Sequence, residues 1–598
     1  MPSFAAQQCL FRAYDIRGSR QHFTTDFVYA LGTAFAHLYR AANHLEDSDI
    51  KNNTNTQNDS LNNHTGKNTD TNIVVIGYDM RFGSDTIAQT LVNILTQHDV
   101  QVIQLGLITT PMMAFWAEQY QGHGIIVTAS HSAKDILGIK WLVHHKSPSS
   151  REIQLLYQQL TDKYLPSSRD TQNLPIKPLA GAIATNSTNM SSEQVIEVYI
   201  DAIAQVFRQM YPAHQPHSNN HLSSDKLDLV VVIDCLHGAT SYIAQRLFER
   251  FCGQLIMLND TADGSFPFGN PDPTEPYRLK QLQQHVLSHQ ADIGIAFDGD
   301  GDRLMVVDNS GHVVAADHLL YLLAQVALAG RPTSSTASSV TPQILFDIKC
   351  SHHLSKLLSA LGAEPMISKT GSSFMRQRMQ HAESPILFAG ELSGHFIFND
   401  QRFIVYDDAM YAALRLLHWL AAASNDNNNS NSNDNHSGKK SLTDMTQRLP
   451  AMVNTADHYL PMPTIPENDC SFVEQLSKLC QCLRKLAAEA VEEDAGDYLV
   501  DTCPSSLCCC SINRQHLTLK QAKYLLPAGT KLSCIDGVRL DFAHGFGVLR
   551  QSNTSHNLTA RFAGDTVEDL QEIQAKFAAL CQPFDKKLAK QVATIPAE

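Results

Sequence analysis

The stretch GIIVTASHSAKDILGIK, from Gly124 to Lys140, decides how the rest of the chain is interpreted. Its apolar, β-branched start, Ile125 to Val127, predicts a buried strand that ends in small and polar residues. The carboxyl ends of parallel strands are where such sheets usually present their chemistry. Ser130 follows this strand, with the imidazole of His131 beside it and the ammonium of Lys140 further on. A serine nucleophile and a serine turn that simply ends the strand are equally good interpretations of this stretch alone.

Length and composition are those of a large globular protein. The 598 residues correspond to about four domains of roughly 150 residues each. Hydrophobic residues make up 43% and charged residues 18% of the chain, which is ordinary. The net charge is -14, with 46 Lys plus Arg against 60 Asp plus Glu. That balance argues against a general nucleic-acid or anionic-membrane surface.

The cellular location is predicted from sequence patterns that the chain lacks. The amino-terminal segment lacks the pattern of a secretory signal, and no apolar run reaches the roughly 18 residues that span a bilayer. The 13 cysteines, including the run Cys508 to Cys510, form no paired zinc or disulfide framework. A cytoplasmic location with reduced thiols is therefore expected.

Three low-complexity segments interrupt the chain: Asp47 to Asn72, Ser147 to Met190 and Ser424 to Lys440. The first and the last are Asn-rich and are predicted to be disordered insertions. Between the segments a β-α-β-α-β alternation begins three times, near Ile73, Leu227 and Ile344. This alternation predicts three consecutive, similar α/β domains with mostly parallel sheets around a central cleft.

A fourth domain, of the α+β class, is predicted at the carboxyl end. Short alternating runs at Val538 to Phe542, Gly547 to Gln551 and Leu558 to Phe562 indicate an antiparallel sheet behind a helix such as Asp469 to Ala490. The predicted boundaries are 1–185, 186–312, 313–423 and 441–598, with a linker at 424–440. One turn of the fourth domain gathers a guanidinium, hydroxyls and backbone N–H groups that suit a phosphate dianion: Arg550, Ser552, Asn553 and Thr554. An ordinary polar hairpin turn is the alternative.

The loop DGDGDR, from Asp298 to Arg303, predicts a metal site. Asp298, Asp300 and Asp302 alternate with glycines, so three hard carboxylate oxygens can converge on one cation, as Mg²⁺ prefers. An EF-hand calcium loop is excluded as an interpretation, because it needs Gly at the position of Arg303 and Glu at the position of Asn309. A solvated acidic turn is the remaining alternative.

A serine and a metal loop together favour phosphoryl transfer. Phosphomonoester cleavage is among the slowest uncatalysed reactions, so a serine that acts on phosphate needs a metal and cations around it. The three aspartates would hold the metal, and Arg303, Lys140 and His131 would supply donors. Acyl transfer is disfavoured because no G-x-S-x-G elbow surrounds Ser130.

Taken in order, the motifs of this chain resemble those of the α-D-phosphohexomutase family, and most closely its bacterial phosphomannomutase/phosphoglucomutase members. The resemblance covers nearly the whole chain outside the insertions. Each motif is only moderately specific, and their joint occurrence in family order carries the resemblance. They are FRAYDIRG (Phe11 to Gly18), GYDMRFGS (Gly77 to Ser84), TASH (Thr128 to His131), DGDGDR, DIKCS (Asp347 to Ser351), GELSGH (Gly390 to His395), and RQSNT and RFAGDT near the end.

The resemblance implies an isomerase that interconverts hexose 1-phosphate and hexose 6-phosphate. Ser130 would be carried as phosphoserine, one Mg²⁺ would bind Ser130 and the three aspartates, and a hexose 1,6-bisphosphate would be the intermediate and activator. Arg17 or Lys140 would assist removal of the hydroxyl proton. The expected partner is a phosphosugar, with no nucleic acid or membrane, and the chain is expected to be monomeric. Substrate contacts are expected from Tyr14, Arg303, Lys349, Glu391, Ser393, His395 and the phosphate turn at Arg550 to Thr554.

Departures from the family pattern leave alternatives open. Ser132 and Ala133 stand where the family has Asn-Pro, Ser372 replaces a histidine, and Ser555-His556 replaces Glu/Gln-Pro. A working mutase with an altered rim and a sugar-phosphate binder that has lost efficient turnover are both compatible with these changes. Leu392 resembles the mannose and glucose enzymes, whereas glucosamine mutases tend to carry Gln there. A phosphoglucosamine mutase is therefore the less favoured third alternative.

Overall fold

The computed structural model describes residues 4–50, 73–163, 187–211, 226–331, 340–382, 386–425, 441–463, 471–489, 497–501, 514–552 and 557–598. Most of both predicted Asn-rich insertions, at 51–72 and 426–440, lies outside these ranges, as do Asn553, Thr554 and the run Cys508 to Cys510. The chain divides into two compact units. Unit 1 comprises 1–332, 379–381 and 393–446, and unit 2 comprises 333–378, 382–392 and 447–598.

A six-stranded sheet opens unit 1, in the order β1-β5-β4-β2-β3-β6. Its strands are β1 (Ile16–Ser19), β2 (Ile73–Tyr78), β3 (Gln101–Leu107), β4 (Gly124–Val127), β5 (Ile136–Leu142) and β6 (Ser187–Asn189). The helices of this region are α1 (Thr25–Ile50), α2 (Ser84–Gln97), α3 (Thr110–Glu118), α4 (Ser150–Lys163) and α5 (Ser192–Met210). Strands β4, β2, β3 and β6 run parallel, whereas β5 pairs antiparallel with both β4 and β1.

The second sheet of unit 1 has the order β10-β9-β7-β8. Its strands are β7 (Leu227–Asp234), β8 (Cys252–Leu258), β9 (Ile293–Phe297) and β10 (Leu304–Asp308), with helices α6 (Ala244–Phe248), α7 (Lys280–Ser288) and α8 (Ala316–Ala329). A 3₁₀ turn at Ala239–Tyr242 precedes the short helix α6. Beyond the helix, the Phe251 carbonyl accepts from the Leu227 N–H of β7 at 2.7 Å.

The third α/β region contributes to both units. It contains β11 (Gln343–Asp347), β12 (Glu364–Ser368), β13 (Ile386–Gly390) and β14 (Phe396–Phe398), and helices α9 (His352–Ala360), α10 (Ser372–His381), α11 (Ala409–Asn425) and α12 (Leu442–Thr446). Within unit 2, β11 pairs in parallel with β12 and with β13. In unit 1, α11 is almost wholly buried, and its Arg415 is 0% exposed and paired with Asp400.

The fourth region, in unit 2, has an antiparallel sheet in the order β15-β22-β21-β20-β19, with β16 paired to β22. Its strands are β15 (Val453–Asn454), β16 (His458–Pro461), β19 (Lys531–Ser533), β20 (Val538–Phe542), β21 (Gly545–Gln551) and β22 (Asn557–Gly564), and β17 (Asp497–Asp501) pairs with β18 (Arg514–Thr518) apart from it. Helices α13 (Phe472–Glu489), α14 (Leu519–Leu525), α15 (Val567–Cys581) and α16 (Lys586–Ala593) complete the region. Leucines and phenylalanines of the sheet and of α13 and α15 form one apolar core.

These elements confirm the predicted fold class of three α/β domains with mostly parallel sheets and a carboxyl-terminal domain with an antiparallel sheet. The β-α-β-α-β prediction missed the antiparallel strands β5 and β10, which run straight back from β4 and β9 with Val127 opposite Ile139 and Phe297 opposite Leu304. The serine loop and the aspartate loop are therefore the tips of two β-hairpins. No helix of the described residues is long and apolar enough to cross a bilayer.

Candidate active site

Ser130 begins the tip of the β4-β5 hairpin in a left-handed backbone conformation. Its φ is 53°, a value that side chains other than glycine seldom adopt unless their surroundings hold them there. The Ser130 N–H donates to Thr128 Oγ1 at 3.0 Å. Ser130 is only 2% exposed, and its hydroxyl donates to Asp298 Oδ2 at 2.8 Å. The strained turn thus aims the hydroxyl at the aspartate loop.

Two buried arginines, Arg81 and Arg17, bind the backbone of the serine loop. Arg81 donates to the carbonyl oxygens of Ser130, Ser132 and Ala133, the last two at 2.7 Å each. Arg17 donates to the Ala129 carbonyl at 3.1 Å and to Ser132 Oγ at 3.2 Å. Each guanidinium also pairs with a carboxylate two residues before it, Asp79 and Asp15. Four peptide groups of the loop, those with the carbonyls of Ala129, Ser130, Ser132 and Ala133, are therefore fixed by charge-assisted hydrogen bonds.

The aspartate loop approaches the serine loop backbone to backbone. A Cβ added at Gly299 would lie 2.4 Å from the Ser130 carbonyl oxygen and 2.9 Å from Pro271 Cγ. Only a glycine permits this approach. The loop also binds α3, because the Thr110 N–H donates to the Asp300 carbonyl at 2.9 Å and the Thr110 hydroxyl donates to the Asp300 carboxylate.

Lys140 reaches the same carboxylates from β5. Its Nζ lies 2.7 Å from Asp300 Oδ2 and 2.6 Å from Asp302 Oδ2. Burial works against the ammonium charge, but Asp300 and Asp302 outweigh burial and raise the pKa of Lys140. Arg17 behaves similarly: burial opposes its charge, while Asp15, Tyr14 and Asp300 together raise its pKa. Both side chains are therefore held as cations in this arrangement.

The three aspartates suit a divalent cation. They are at most 2% exposed, and one oxygen of each lies within 4.8 Å of the others. Asp300 Oδ1 is buried and accepts no hydrogen bond, which is costly for a carboxylate unless an ion satisfies it. Burial, followed by the charges of Asp302 and Asp300, raises the pKa of Asp298 well above its ordinary value. The donor set of hard oxygens fits the predicted metal, with Ser130 Oγ directly beside it.

Histidines and a further arginine border the site. His131 Nδ1 lies 3.2 Å from Ser130 Oγ, and burial, then Arg303, holds the pKa of His131 well below its ordinary value. His395 Nε2 lies 3.3 Å from Asp302 Oδ1, and its Nδ1 shares a 2.8 Å hydrogen bond with Ser393 Oγ. Arg303 lies within 4 Å of Asp298 and Asp272. Burial, then Asp15, raises the pKa of the half-buried Tyr14, and the charge of Arg303 opposes this rise.

The other predicted substrate residues that the structure describes lie in unit 2, where each has a polar partner. Lys349 Nζ pairs with Asp457 Oδ2 at 2.5 Å. Glu391 is buried and accepts the Gly371 N–H. Arg550 donates to Asp536 at 2.7 Å, and one of its terminal nitrogens, Nη2, is buried without a hydrogen bond. Ser552 lies at the end of the same strand, whereas Asn553 and Thr554 fall outside the described residues.

Several side chains that organise these loops were not predicted as site residues. They are Asp79, Arg81, Thr110, Asp457 and Asp536. Asp79 and Arg81 stand inside the GYDMRFGS motif, so the motif itself was a signal, although nothing local shows that Arg81 binds a loop 49 residues away. Asp457 and Asp536 carry no sequence signal, because they become partners of Lys349 and Arg550 only through the fold.

The tips of two adjacent β-hairpins bring the Ser130 hydroxyl to a buried carboxylate trio that could hold a metal ion, and this arrangement is that of a group-transfer enzyme. Family models agree with that class. The phosphoglucomutase/phosphomannomutase alpha/beta/alpha domains I, II and III match residues 52–165, 197–311 and 315–449, respectively. The chain belongs to the phosphoglucomutase/phosphomannomutase family, within the α-D-phosphohexomutase superfamily.

Relatives match the chain over nearly its whole length. It is 29% identical to a phosphomannomutase/phosphoglucomutase of Pseudomonas syringae pv. tomato, over 95% of this chain and 94% of that protein. It is 26% identical to a phosphoglucomutase of Neisseria gonorrhoeae, over 96% of each. The crystal structure of a phosphoglucomutase/phosphomannomutase family protein from Burkholderia thailandensis has the same fold, with a TM-score of 0.65 and 24% identity over 99% of both chains.

Proposed function

We propose that this chain is a phosphohexomutase that interconverts hexose 1-phosphate and hexose 6-phosphate, with mannose and glucose phosphates as its substrates. The observation that carries the proposal is the 2.8 Å contact between the Ser130 hydroxyl and Asp298, at the edge of the buried aspartate trio. The names of the Pseudomonas and Neisseria relatives support the substrate class.

The chemistry is a reversible transfer of one phosphoryl group. The bond between phosphorus and Ser130 Oγ breaks as a bond to a free sugar hydroxyl forms, and the hydroxyl proton leaves to a group of the site. The resulting hexose 1,6-bisphosphate is an intermediate. It reorients in the site and returns its other phosphoryl group to Ser130. Asp298, Asp300 and Asp302 would hold Mg²⁺, which would neutralise the charge that develops on the transferring group.

The side chains around Ser130 divide the remaining tasks. Arg81 and Arg17 fix the loop backbone, so the serine oxygen is positioned before the substrate arrives. Lys140 and Arg17 assist deprotonation through their positive charge, because both are held as cations by neighbouring carboxylates. His131 Nδ1, 3.2 Å from Ser130 Oγ, is placed to exchange a proton with that oxygen.

The substrate would be recognised by groups that can form hydrogen bonds with sugar hydroxyls and with a phosphate. Glu391 and Ser393 would hold the O3 and O4 hydroxyls, and Lys349 and His395 would meet the phosphosugar. Arg550, Ser552, Asn553 and Thr554 would hold the distal phosphate, with the buried, unsatisfied Nη2 of Arg550 as one donor. We further propose that the chain works as a cytoplasmic monomer divided at the predicted domain boundaries.

A coupled assay with mannose 1-phosphate, glucose 1-phosphate and glucosamine 1-phosphate tests the proposal, with a trace of the matching bisphosphate present. We expect turnover of the first two, loss of turnover in Ser130→Ala, and loss on chelation that added Mg²⁺ reverses. Ser288→Ala, an exposed serine at the end of helix α7, is the matched control. Binding of the sugar phosphates without turnover would favour the binding protein instead, and turnover of glucosamine phosphate alone would favour the glucosamine enzyme.

A further inference from the structure

Two adjacent histidines begin helix α9 in unit 2. Ser351 caps this helix, since its hydroxyl accepts the His353 N–H at 3.1 Å. His352 and His353 are therefore the first two helical residues, and their rings face each other with centroids 3.9 Å apart. The turn geometry thus directs both imidazoles to one side of the helix start.

A carboxylate and a third imidazole stand opposite this pair. Asp565 follows strand β22, and His544 lies in the short turn between β20 and β21. The sheet register brings them together, because Gly545 is opposite Gly564 and the Asp565 N–H donates to the His544 carbonyl at 2.9 Å. His544 Nδ1 lies 3.3 Å from Asp565 Oδ2. The backbone of the sheet therefore fixes both side chains at the same corner.

Three of these groups, His352, His353 and Asp565, lie at distances close to those between ligands of one small cation. Asp565 Oδ1 lies 3.3 Å from His352 Nε2 and 2.9 Å from His353 Nε2. Ligands at about 2.0–2.2 Å from a tetrahedral zinc ion are roughly 3.3–3.5 Å from one another. One ligand atom from each of His352, His353 and Asp565 fits within 4.8 Å of the others. Small side-chain adjustments would therefore complete a coordination shell.

His352 is the second observation that points to a ligand. Its side chain is 4% exposed, yet neither ring nitrogen makes a hydrogen bond. A buried imidazole without hydrogen bonds is costly, and a bound cation would satisfy the nitrogen that faces Asp565.

We propose that His352, His353, His544 and Asp565 form a second metal site, which takes a divalent cation with a preference for imidazole, such as Zn²⁺. The ligand set distinguishes it from the all-oxygen aspartate loop, which suits Mg²⁺. His544 is 70% exposed and leaves an entry path for the ion. Asp565 supplies one negative charge toward the cation, and nearby Arg539 is neutralised by Asp541.

The site would connect two of the predicted domains. The histidine pair directly follows the DIKCS motif that contains Lys349, in the third predicted domain, whereas His544 and Asp565 belong to the fourth. A cation bound here would hold the start of α9 on the β20-β21 turn. Zinc should therefore stabilise unit 2 without taking part in turnover.

Equilibrium dialysis of the untagged, full-length chain against Zn²⁺ tests the site, with Mg²⁺ in excess to occupy the aspartate loop. We expect one zinc equivalent per chain. The double variant H352Q/H353Q should lose it, with a fall in affinity above the roughly 10–100-fold that loss of an outer-shell partner causes. The matched control is H285Q/H289Q, which removes another close histidine pair, with ring centroids 5.4 Å apart on helix α7 and just beyond it, and should retain the zinc.

A second measurement keeps the test valid if the double variant folds poorly. Co²⁺ in place of zinc should give the intense visible absorption of a four-coordinate site with imidazole ligands, and Asp565→Asn should weaken that absorption. Zinc retained by folded H352Q/H353Q, zinc lost equally in the control, or only the weak spectrum of octahedral Co²⁺ would each overturn the proposal. The proposed mutase activity is tested separately and can stand or fall without this site.

Discussion

Arg81 makes hydrogen bonds with three carbonyl oxygens of the serine loop through one buried guanidinium. Two of those carbonyls belong to Ser132 and Ala133, where the family has Asn-Pro. The Ser132 hydroxyl additionally accepts from Arg17. The loop is thus held mainly by its backbone, and backbone contacts tolerate a change of side chain. This explains how the departures at Ser132 and Ala133 are compatible with a positioned Ser130.

Replacing this guanidinium tests how the loop is held. Arg81→Lys replaces the planar fork with a single nitrogen, which cannot occupy the separate positions from which Nη1 and Nη2 donate to the loop carbonyls. We expect kcat to fall about 100-fold, since misplacement of a reacting atom by about 1 Å costs that much, while KM changes little. Steady-state kinetics of the coupled assay measures both constants. Arg250→Lys, whose exposed side chain pairs with Glu197 and Asp201, is the control, and a wild-type kcat in Arg81→Lys would contradict the positioning role.

His123 should make the first sheet sensitive to acid. It is 0% exposed, packs against Tyr39 and His144, and accepts the His144 N–H at 3.2 Å. Burial, then His144, lowers the pKa of His123 to about 3, against about 6.5 in the unfolded chain. Between these two values the unfolded state binds more protons, so stability is full above pH 6.5 and falls as the pH is lowered. The loss at pH 5 is about 2 kcal/mol.

Hydrogen–deuterium exchange of peptides from β4 and β5 can measure this local loss, which a global unfolding curve of a multidomain chain would blur. Protection factors, corrected for the intrinsic effect of pH, should fall roughly 30-fold between pH 7 and pH 5. His123→Asn keeps an acceptor for the His144 N–H but does not titrate, so its protection should change much less. An equal fall in this variant would show that another group is responsible.

At the scale of elements, strands with a clear apolar run were predictable and their antiparallel neighbours were not. Strand β20 has the predicted bounds, Val538–Phe542, and β4 lies where Ile125 to Val127 indicated it. Strand β5 was missed because its sequence, ILGIKWL, mixes large apolar residues with Gly138 and Lys140. It forms because β1 and β4 pair with it on both sides. Such pairing is a long-range effect that no local pattern contains.

The site residues were predictable to about the same extent as the strands. The aspartates and the serine could be identified because they lie in short motifs whose chemistry is specific. The partners of Lys349 and Arg550 could not be identified from the sequence. Asp457 pairs with Lys349 across 108 residues, and Asp536 pairs with Arg550 only through the register of β20 and β21. Residue types therefore predicted the chemistry, while the sheets decide which charges meet.

The contact between the two hairpin tips depends on Gly299. Gly299→Ala would force its Cβ to within 2.4 Å of the Ser130 carbonyl, so the tips must separate. We expect kcat/KM to fall about 100-fold, with a loss of stability of about 1–3 kcal/mol from overpacking. The coupled assay and thermal unfolding measure the two effects. Gly253→Ala, on β8 with its nearest contact at 3.2 Å, should leave activity intact, and full activity in Gly299→Ala would refute the close approach.

At the scale of the whole molecule, one apolar cluster joins segments of the third and fourth predicted domains. Ile348, from the third predicted domain, is 0% exposed in a cluster with Phe546, Val548 and Ala563 of the fourth. Arg539 of β20, 1% exposed, donates to the carbonyls of Ile348 and Cys350. The segment that carries Lys349 is therefore folded onto the antiparallel sheet, and both belong to unit 2.

A chain truncated after Lys440 should for this reason be less stable than its remaining α/β regions suggest. The cut removes the sheet that covers Ile348 and the guanidinium that satisfies two carbonyls, and an unsatisfied buried acceptor costs about 1–3 kcal/mol. We expect residues 340–382 to bind a hydrophobic dye and to be cleaved first in limited proteolysis, while the core of unit 1 stays protected. The full-length chain under the same conditions is the reference. Equal resistance of both chains at 340–382 would mean that the third domain folds independently, because its apolar contacts with the fourth would then add nothing that its own core lacks.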